Sequence, residues 1–599
     1  MPDTSIRDLN KNDQIDPYED SNQPIGERIE DLLGRMTLEE KAGMMFQTMV
    51  MIDDDGEFNI DIGAFGGPTI REMTDKHMTH FNLVGSASPE KIASWVNALQ
   101  KLAESKRLGI PVTLSTDPRH SFSDNPGVHV ATEAFSQWPE SPGLAAIGDE
   151  QLVEDFADIA RQEYIAVGLR SALHPVADLA TEPRWARING TFGEDAKLSA
   201  RLTAAYIRGF QGEALDMNSV ACMTKHFPGG GPQLDGEDPH FNYGREQVYT
   251  GDNFDYHLLP FDAAFEADTA MIMPYYGMPI DTEHEAVGFG FNKGIITGLL
   301  REKYGFDGVV CTDWGLLTDD NLAGDIFPAR AWGVEHLSVS ERAKKALDAG
   351  IDQFGGEYCP EIIIELVQSG QISEKRINES VRRLLRDKFR LGLFDNPFVD
   401  PIAASHIVGN SAFRSAGELA QRKSIVLLQN SNLDRKQVLP LQGRPKIYVE
   451  NIAPSIAQQY GEVVDDIDEA DFAILRLKTP YESRNGIFLE TFFHAGDLDF
   501  KEPEKSRILS ILKKVPTIVD IYLDRPAVIP DIVDQCAGLI ANFGASDSAV
   551  LDVIFGRFSP SAKLPFELPS SMDAVKEQKA DVPYDSTDPL FEYGFGLRY

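Results

Sequence analysis

The chain has 599 residues, 42% of them hydrophobic and 25% charged, a balance that excludes a disordered protein and a length that exceeds what one hydrophobic core can organise. Its 94 acidic against 56 basic side chains give a formal charge of −38, and such a field repels phosphate backbones and anionic bilayers, so neither nucleic acid nor a membrane is expected as a partner. Four cysteines, Cys222, Cys311, Cys359 and Cys536, form no CxxC pair, which argues against a disulfide framework or a thiolate zinc site.

The first 24 residues are polar and acidic and lack the basic and apolar regions of a secretory signal, so a flexible acidic leader (1–24) and a cytoplasmic location are expected. Order begins near Pro24: Ile29, Leu32, Leu33 and Met36 recur at helical spacing, and Thr37 with Glu40 reads as a capping box. From there to about Phe394 short apolar runs alternate with longer amphipathic stretches. The runs end at Thr116, Leu179, Phe227, Tyr276, Trp314 and Phe354, with helices expected over 151–167, 198–214, 292–304 and 340–349. This alternation predicts right-handed βα crossovers closing into a TIM-like (β/α)8 barrel over 25–395. The prolines and turn residues after the helix expected over 373–391 mark a linker at 396–410. A second alternation (SIVLLQN, KIYVEN, FAILRLK, TIVDIYL, GLIANF) predicts a smaller α/β sandwich over 411–565, followed by a Pro- and aromatic-rich strap, 566–599.

In a parallel barrel the carboxyl ends of the strands share one face, and that is where Asp117, Arg187, Lys225, His226, Tyr275 and Asp313 fall. VVCTDWG, Val309 to Gly315, is the most telling stretch: an apolar run stops on Asp313 with Trp314 beside it. A rigidly mounted carboxylate next to a flat apolar wall suits sugar cleavage. Taken alone, Asp313 could cap the next helix, Trp314 could be core, Arg187 could pair with Glu194 or Asp195, and Lys225 could be a solvated strand-end lysine.

The strings GIPVTLSTDPRHS, EPRWARINGTFGED, CMTKHFPGG, GFDGVVCTDWG, RINESVRRLLRDKFRLGLFDNP, SIVLLQN, AKLPFELP and PLFEYGFGLRY resemble, in order and over nearly the whole chain, the motif series of glycoside hydrolase family 3. The resemblance implies a barrel followed by a sandwich and retaining exo-hydrolysis of β-glycosides, most simply as a β-glucosidase. By position it makes Asp313 the nucleophile, Asp117 the carboxylate that reads remote sugar hydroxyls, and Arg187, Lys225 and His226 donors to the same ring. Tyr275 would stand near the nucleophile, with Trp314 in the sugar wall.

The family's acid/base glutamate has no match, because Lys478 occupies its place ahead of Pro480 and Tyr481, and an ordinary lysine cannot cycle as that acid. Glu482 is therefore the first candidate, on a loop (Thr479 to Phe500) expected to lean over the barrel mouth, with Glu490 second. Asp238 with His240 is a third, since KHFPGGGPQLDGEDPH resembles the Asp-x-His dyad of the β-N-acetylglucosaminidase branch. That activity, a β-xylosidase and a sugar-binding protein that has lost its acid are the alternatives. No dinucleotide fingerprint, phosphate loop, GxSxG elbow or HExxH is present, so neither organic cofactor nor catalytic metal is expected. The partner is a small carbohydrate, with a homodimer left open.

Overall fold

The structure is a computed structural model that describes residues 7–122, 129–322, 324–431, 437–484 and 486–599. Its first domain is built on eight parallel strands: β1 (Phe46–Met51), β2 (His80–Val84), β3 (Thr113–Thr116), β4 (Ser171–Ala172), β5 (Ala221–Phe227), β6 (Met271–Pro274), β7 (Val309–Val310) and β8 (Phe354–Gly355). They pair in the order β8-β1-β2-β3-β4-β5-β6-β7, and a parallel bridge between Cys311 and Gln353 joins the two ends of the row. Helices Pro89–Ser105, Glu150–Val167, Ala196–Gln211, Val339–Ala349 and Glu374–Arg390 pack outside, each started by a Ser or Asp side chain that accepts a backbone N–H of its first turn. Gly294–Lys303, read as an ordinary helix, is wound with π-type hydrogen bonds.

The strands β1 and β2 escaped the sequence reading. Their inward positions are polar: Gln47 donates to Ser115 Oγ at 2.6 Å, and Ser115 Oγ donates to Asn82 Oδ1 at 3.1 Å. At the other end of the barrel the fully buried Lys388 donates to Thr79 O, Pro111 O and Thr113 Oγ1.

The second domain is a six-stranded sheet of β9 (Val426–Asn430), β10 (Lys446–Glu450), β11 (Glu462–Val463), β12 (Phe472–Lys478), β13 (Thr517–Tyr522) and β14 (Gly538–Asn542), ordered β9-β14-β13-β12-β10-β11. All its pairs are parallel except β9 with β14. Ser411–Ser424 and Glu504–Lys514 are its longer helices.

Two expected boundaries behave differently from their composition. Residues 7–24 of the leader are packed rather than flexible: Tyr18 is buried, meets the Phe394 ring edge-on and donates to Leu108 O, while Glu19 accepts the N–H of Leu9. Its acidic side chains serve turns and caps, which composition alone does not reveal; residues 1–6 lie outside the described residues. The linker holds a helix, Pro401–Ile407, that packs on Pro89–Ser105 and Glu150–Val167. The strap ties both domains: Leu597 bridges Leu427, Asp581 accepts the N–H groups of Gly251 and Asn253, and Glu194 of the barrel accepts those of Glu567 and Tyr584.

Candidate active site

A cavity opens at the carboxyl ends of the barrel strands, lined among others by Asn82, Asp117, Arg187, Lys225, His226, His240, Tyr276, Asp313, Trp314 and Arg330, with Leu489 of the second domain over it. Asp313 is fixed from both sides by β8. Thr312 donates its N–H to Gln353 O and accepts the Gly355 N–H, and Gly315 donates to Gly355 O at 3.0 Å. Asp313 Oδ1 accepts the Trp314 N–H at 2.8 Å, whereas the buried Oδ2 has no hydrogen-bond partner among the described residues and lies 3.7 Å from His226 Nε2. It caps no helix. The Trp314 ring rests on glycine: a Cβ on Gly355 would stand 2.7 Å from Cε3, and one on Gly356, whose φ is +70°, 2.9 Å from the ring.

The register of β5 against β6 shifts between Lys225 and Phe227. Such a bulge breaks strict alternation and lets the consecutive side chains Lys225 and His226 both reach the cavity. Lys225 Nζ lies 3.4 Å from Asp117 Oδ1, and Asn82 Nδ2 donates to Asp117 Oδ2 at 3.1 Å. Burial lowers the Lys225 ammonium against the pull of Asp117.

Behind His226 sits Asp178, fully buried, which accepts the N–H of His226 at 3.0 Å, that of Gly230 at 2.6 Å and the imidazole Nδ1 at 2.6 Å. Burial raises Asp178 to about 6, opposed by these hydrogen bonds and by Arg187 and Lys225. On the other ring nitrogen, Arg187 Nη1 approaches Nε2 at 3.0 Å. Burial and Arg187 hold the imidazole well below 6.5, so it is the neutral Nδ1–H tautomer, donating to Asp178 and accepting from Arg187. Arg187 itself would be lowered by burial, yet Tyr275, Asp238, Asp313 and Asp178 hold it above its ordinary value. It pairs with neither Glu194, bound to the strap, nor Asp195, which caps Ala196–Gln211.

Two expectations need correction. The cavity is lined by Tyr276, not Tyr275. Tyr275 packs on the His226 ring at 4.5 Å and donates to Asp238 Oδ2, while the Tyr276 hydroxyl donates to Trp314 O; β6 ends at Pro274, so strand parity does not carry to these residues. Glu482 is not brought to the cavity. Its backbone pairs with Ala495, and its exposed carboxylate packs against Gly496 at the outer base of the loop. The loop tip reaches the barrel instead: Phe493 packs with Phe241 and Phe327, and Arg484 pairs with Glu237. In that tip Glu490 bonds the Tyr243 hydroxyl; residue 485 lies outside the described residues.

The dyad Asp238 and His240 is assembled at the site. His240 lines the cavity, its Nδ1 2.6 Å from Asp238 Oδ1, and Trp185 Nε1 and the Tyr275 hydroxyl donate to Asp238 Oδ2. Although burial would raise it, Asp238 is held down to about 2 by His240 and Arg187. Burial lowers His240 below 6.5 against the pull of Asp238. Sequence reasoning missed Asn82, Asp178, Tyr276 and Arg330. A carboxylate inside the apolar run SALHPVADL was a usable signal for Asp178, but nothing around Arg330 was.

Residues 37–386 match the glycosyl hydrolase family 3 N terminal domain and residues 448–599 the family's C-terminal domain. The chain belongs to glycoside hydrolase family 3. Family members similar to it include the probable beta-glucosidase C of Aspergillus flavus, 52% identical over 597 residues, spanning 99% of this chain and 93% of that protein. The periplasmic beta-glucosidase/beta-xylosidase of Dickeya chrysanthemi is 43% identical over 622 residues, 99% and 93% of the two chains. A solved β-glucosidase from Erythrobacter marinus shares the fold with a TM-score of 0.80 at 22% identity, over 97% of this chain and 84% of its own. The expected cytoplasmic location does not stand: the Dickeya relative is a periplasmic enzyme, and an acidic surface without disulfides suits either compartment.

Proposed function

We propose that the chain is a retaining, exo-acting β-glucosidase with Asp313 as nucleophile. The observation that carries this is the Oδ2 of a rigidly mounted carboxylate, unbonded among the described residues, with Arg187, Lys225 and Asp117 ready for the hydroxyls of one pyranose and His226 holding Arg187 in place. Every sugar oxygen that leaves water needs a partner, and donors and acceptors from β2, β3 and β5 supply them. Oδ2 attacks the anomeric carbon as the glycosidic C–O bond breaks, forming a glycosyl ester. Water then attacks the same carbon and releases the carboxylate.

The proton for the leaving oxygen comes, in this reading, from His240. Its Nδ1 is held by Asp238, which leaves Nε2 to give a proton in the first step and take one from water in the second. Because burial lowers this imidazole, the first step, which needs the protonated ring, is favoured on the acid side. Glu490 is the second reading, favoured by its neighbour Leu489 over the cavity.

A panel of 4-nitrophenyl glycosides tests the substrate: the β-glucoside should have the highest kcat/KM, and a preference for the xyloside or the N-acetylglucosaminide would sink the glucosidase reading. For the acid/base, His240→Ala should lose turnover of poor leaving groups far more than of good ones, with azide restoring the good ones. If Glu490→Ala shows that pattern and His240→Ala does not, the roles go to Glu490.

A further inference from the structure

The barrel carries a second polar cleft at the end away from Asp313. It lies under the starts of β6 and β7, where Ala270 and Gly308 form part of its wall, and is completed by residues 304–307 and the last turn of the helix Glu374–Arg390. Asp268, Asp307 and Arg390 stand exposed around it, whereas Asp387, which also lines it, is only 3% exposed. The Asp387 carboxylate makes no hydrogen bond with any described residue, and its Oδ2 is a buried acceptor without a partner. Arg386 Nη1 pairs with Asp307 at 2.8 Å, yet its Nε is a buried donor likewise unpartnered among the described residues.

Stability does not explain these groups. A carboxylate in the last turn of a helix meets the negative end of the helix dipole, and burying it unpaired adds a desolvation cost that an apolar side chain would avoid. Burial raises Asp387 to about 7 against the pull of Arg386 and Arg390, so near neutral pH it can donate a hydrogen bond as well as accept one.

The surroundings restrict what could satisfy them. An anion is opposed by Asp268 and Asp387. A metal ion is opposed by Arg386 and Arg390, and among the described residues no three His, Cys, Asp or Glu side chains gather as ligands. Phe265, Tyr304 and Phe306 line the same cleft, the Phe265 ring centroid lying 4.8 Å from that of Tyr304 and 5.7 Å from that of Phe306. An open acceptor, an open donor and an aromatic wall together suit an uncharged ligand with hydroxyls on its edge and C–H bonds on its faces.

We propose that this cleft is a second saccharide site, which binds one pyranose at the opposite end of the barrel from the catalytic cavity and does not cleave it. Asp387 pairs with neighbouring hydroxyls, Arg386 Nε donates to another sugar oxygen, and the aromatic wall covers one face of the ring. The site stands apart from the glucosidase reading, and the test reads the two separately.

Hydrogen exchange of the full chain is followed by mass spectrometry during a titration with D-glucose. Residues 301–308 and 383–391 report the cleft, while residues 309–316 report the catalytic cavity in the same run. With glucose at ten times its dissociation constant, exchange through local opening at the cleft should slow about 10-fold. Asp387→Leu should lose this protection. In Asp387→Asn, which keeps the shape, half-maximal protection should require roughly 10-fold more glucose, the worth of a hydrogen bond to a charged group. Glucose that fails to protect the cleft in the parent, equal protection by glycerol at the same concentration, or unchanged protection in whichever Asp387 variant folds overturns the site.

Discussion

Replacing Asp178 by Asn tests the electrostatic logic of the site without emptying any space. Two of the three N–H groups that Asp178 accepts, from the His226 and Gly230 backbones, converge on Oδ1, and an amide oxygen placed there keeps both. The amide NH2 then takes the place of Oδ2 and faces the His226 Nδ1, which now donates to Oδ2 at 2.6 Å. Two donors cannot share that contact, so the imidazole must give up its Nδ1 proton and carry it on Nε2. There it points at Arg187 Nη1, 3.0 Å away, and a second donor clash replaces a hydrogen bond. A charge-assisted hydrogen bond is worth about 1.5 to 3 kcal/mol, which corresponds to roughly 10- to 100-fold in kcat/KM when it acts at the transition state. Steady-state kinetics on 4-nitrophenyl β-glucoside, with a double-mutant cycle against His226→Ala, measures both the loss and its route. The two substitutions should couple by more than about 1 kcal/mol. Strict additivity, or a kcat/KM within twofold of the parent for Asp178→Asn, would refute the tautomer argument.

Further outcomes follow from the same geometry. Gly355→Ala puts a Cβ 2.5 Å from Thr312 O and 2.7 Å from the Trp314 ring; the ring must move, and KM for the aryl glucoside should rise roughly tenfold, in the range of a lost aromatic contact, with a changed near-UV circular dichroism signal as the check. Burial raises Glu194 to about 8 from an ordinary 4.5. The unfolded chain therefore releases this proton first, so the stabilisation is complete below pH 4.5 and is lost as pH rises through about 8. Melting temperature should decline toward alkaline pH in the parent, and Glu194→Gln, which cannot ionise, should flatten that decline; parallel curves would contradict the assignment.

Much of this molecule is written locally in the chain. VVCTDWG announces an apolar strand that ends on a carboxylate, and Lys225 with His226 closes another such run. What stayed hidden depends on three dimensions. Gln47, Ser115 and Asn82 bond one another inside the barrel, so β1 and β2 lack the apolar signature of a buried strand. Tyr275 and Tyr276 cannot be ranked once β6 has ended. Glu482 is nearer in sequence to the end of β12, yet the bridge from Glu482 to Ala495 sends the loop tip, and not its base, to the barrel. Arg330 is invisible because what places it at the cavity is its stacking on the Phe327 ring, and Tyr18 because acidic neighbours disguise a packed segment as a leader.

The nucleophile assignment has one direct measurement. Incubation with 2,4-dinitrophenyl 2-deoxy-2-fluoro-β-D-glucoside should add one fluoroglucosyl unit per chain, and peptide mapping should place it on the peptide that carries Asp313. A label on another carboxylate, or none on a chain that cleaves aryl glucosides, would contradict the account.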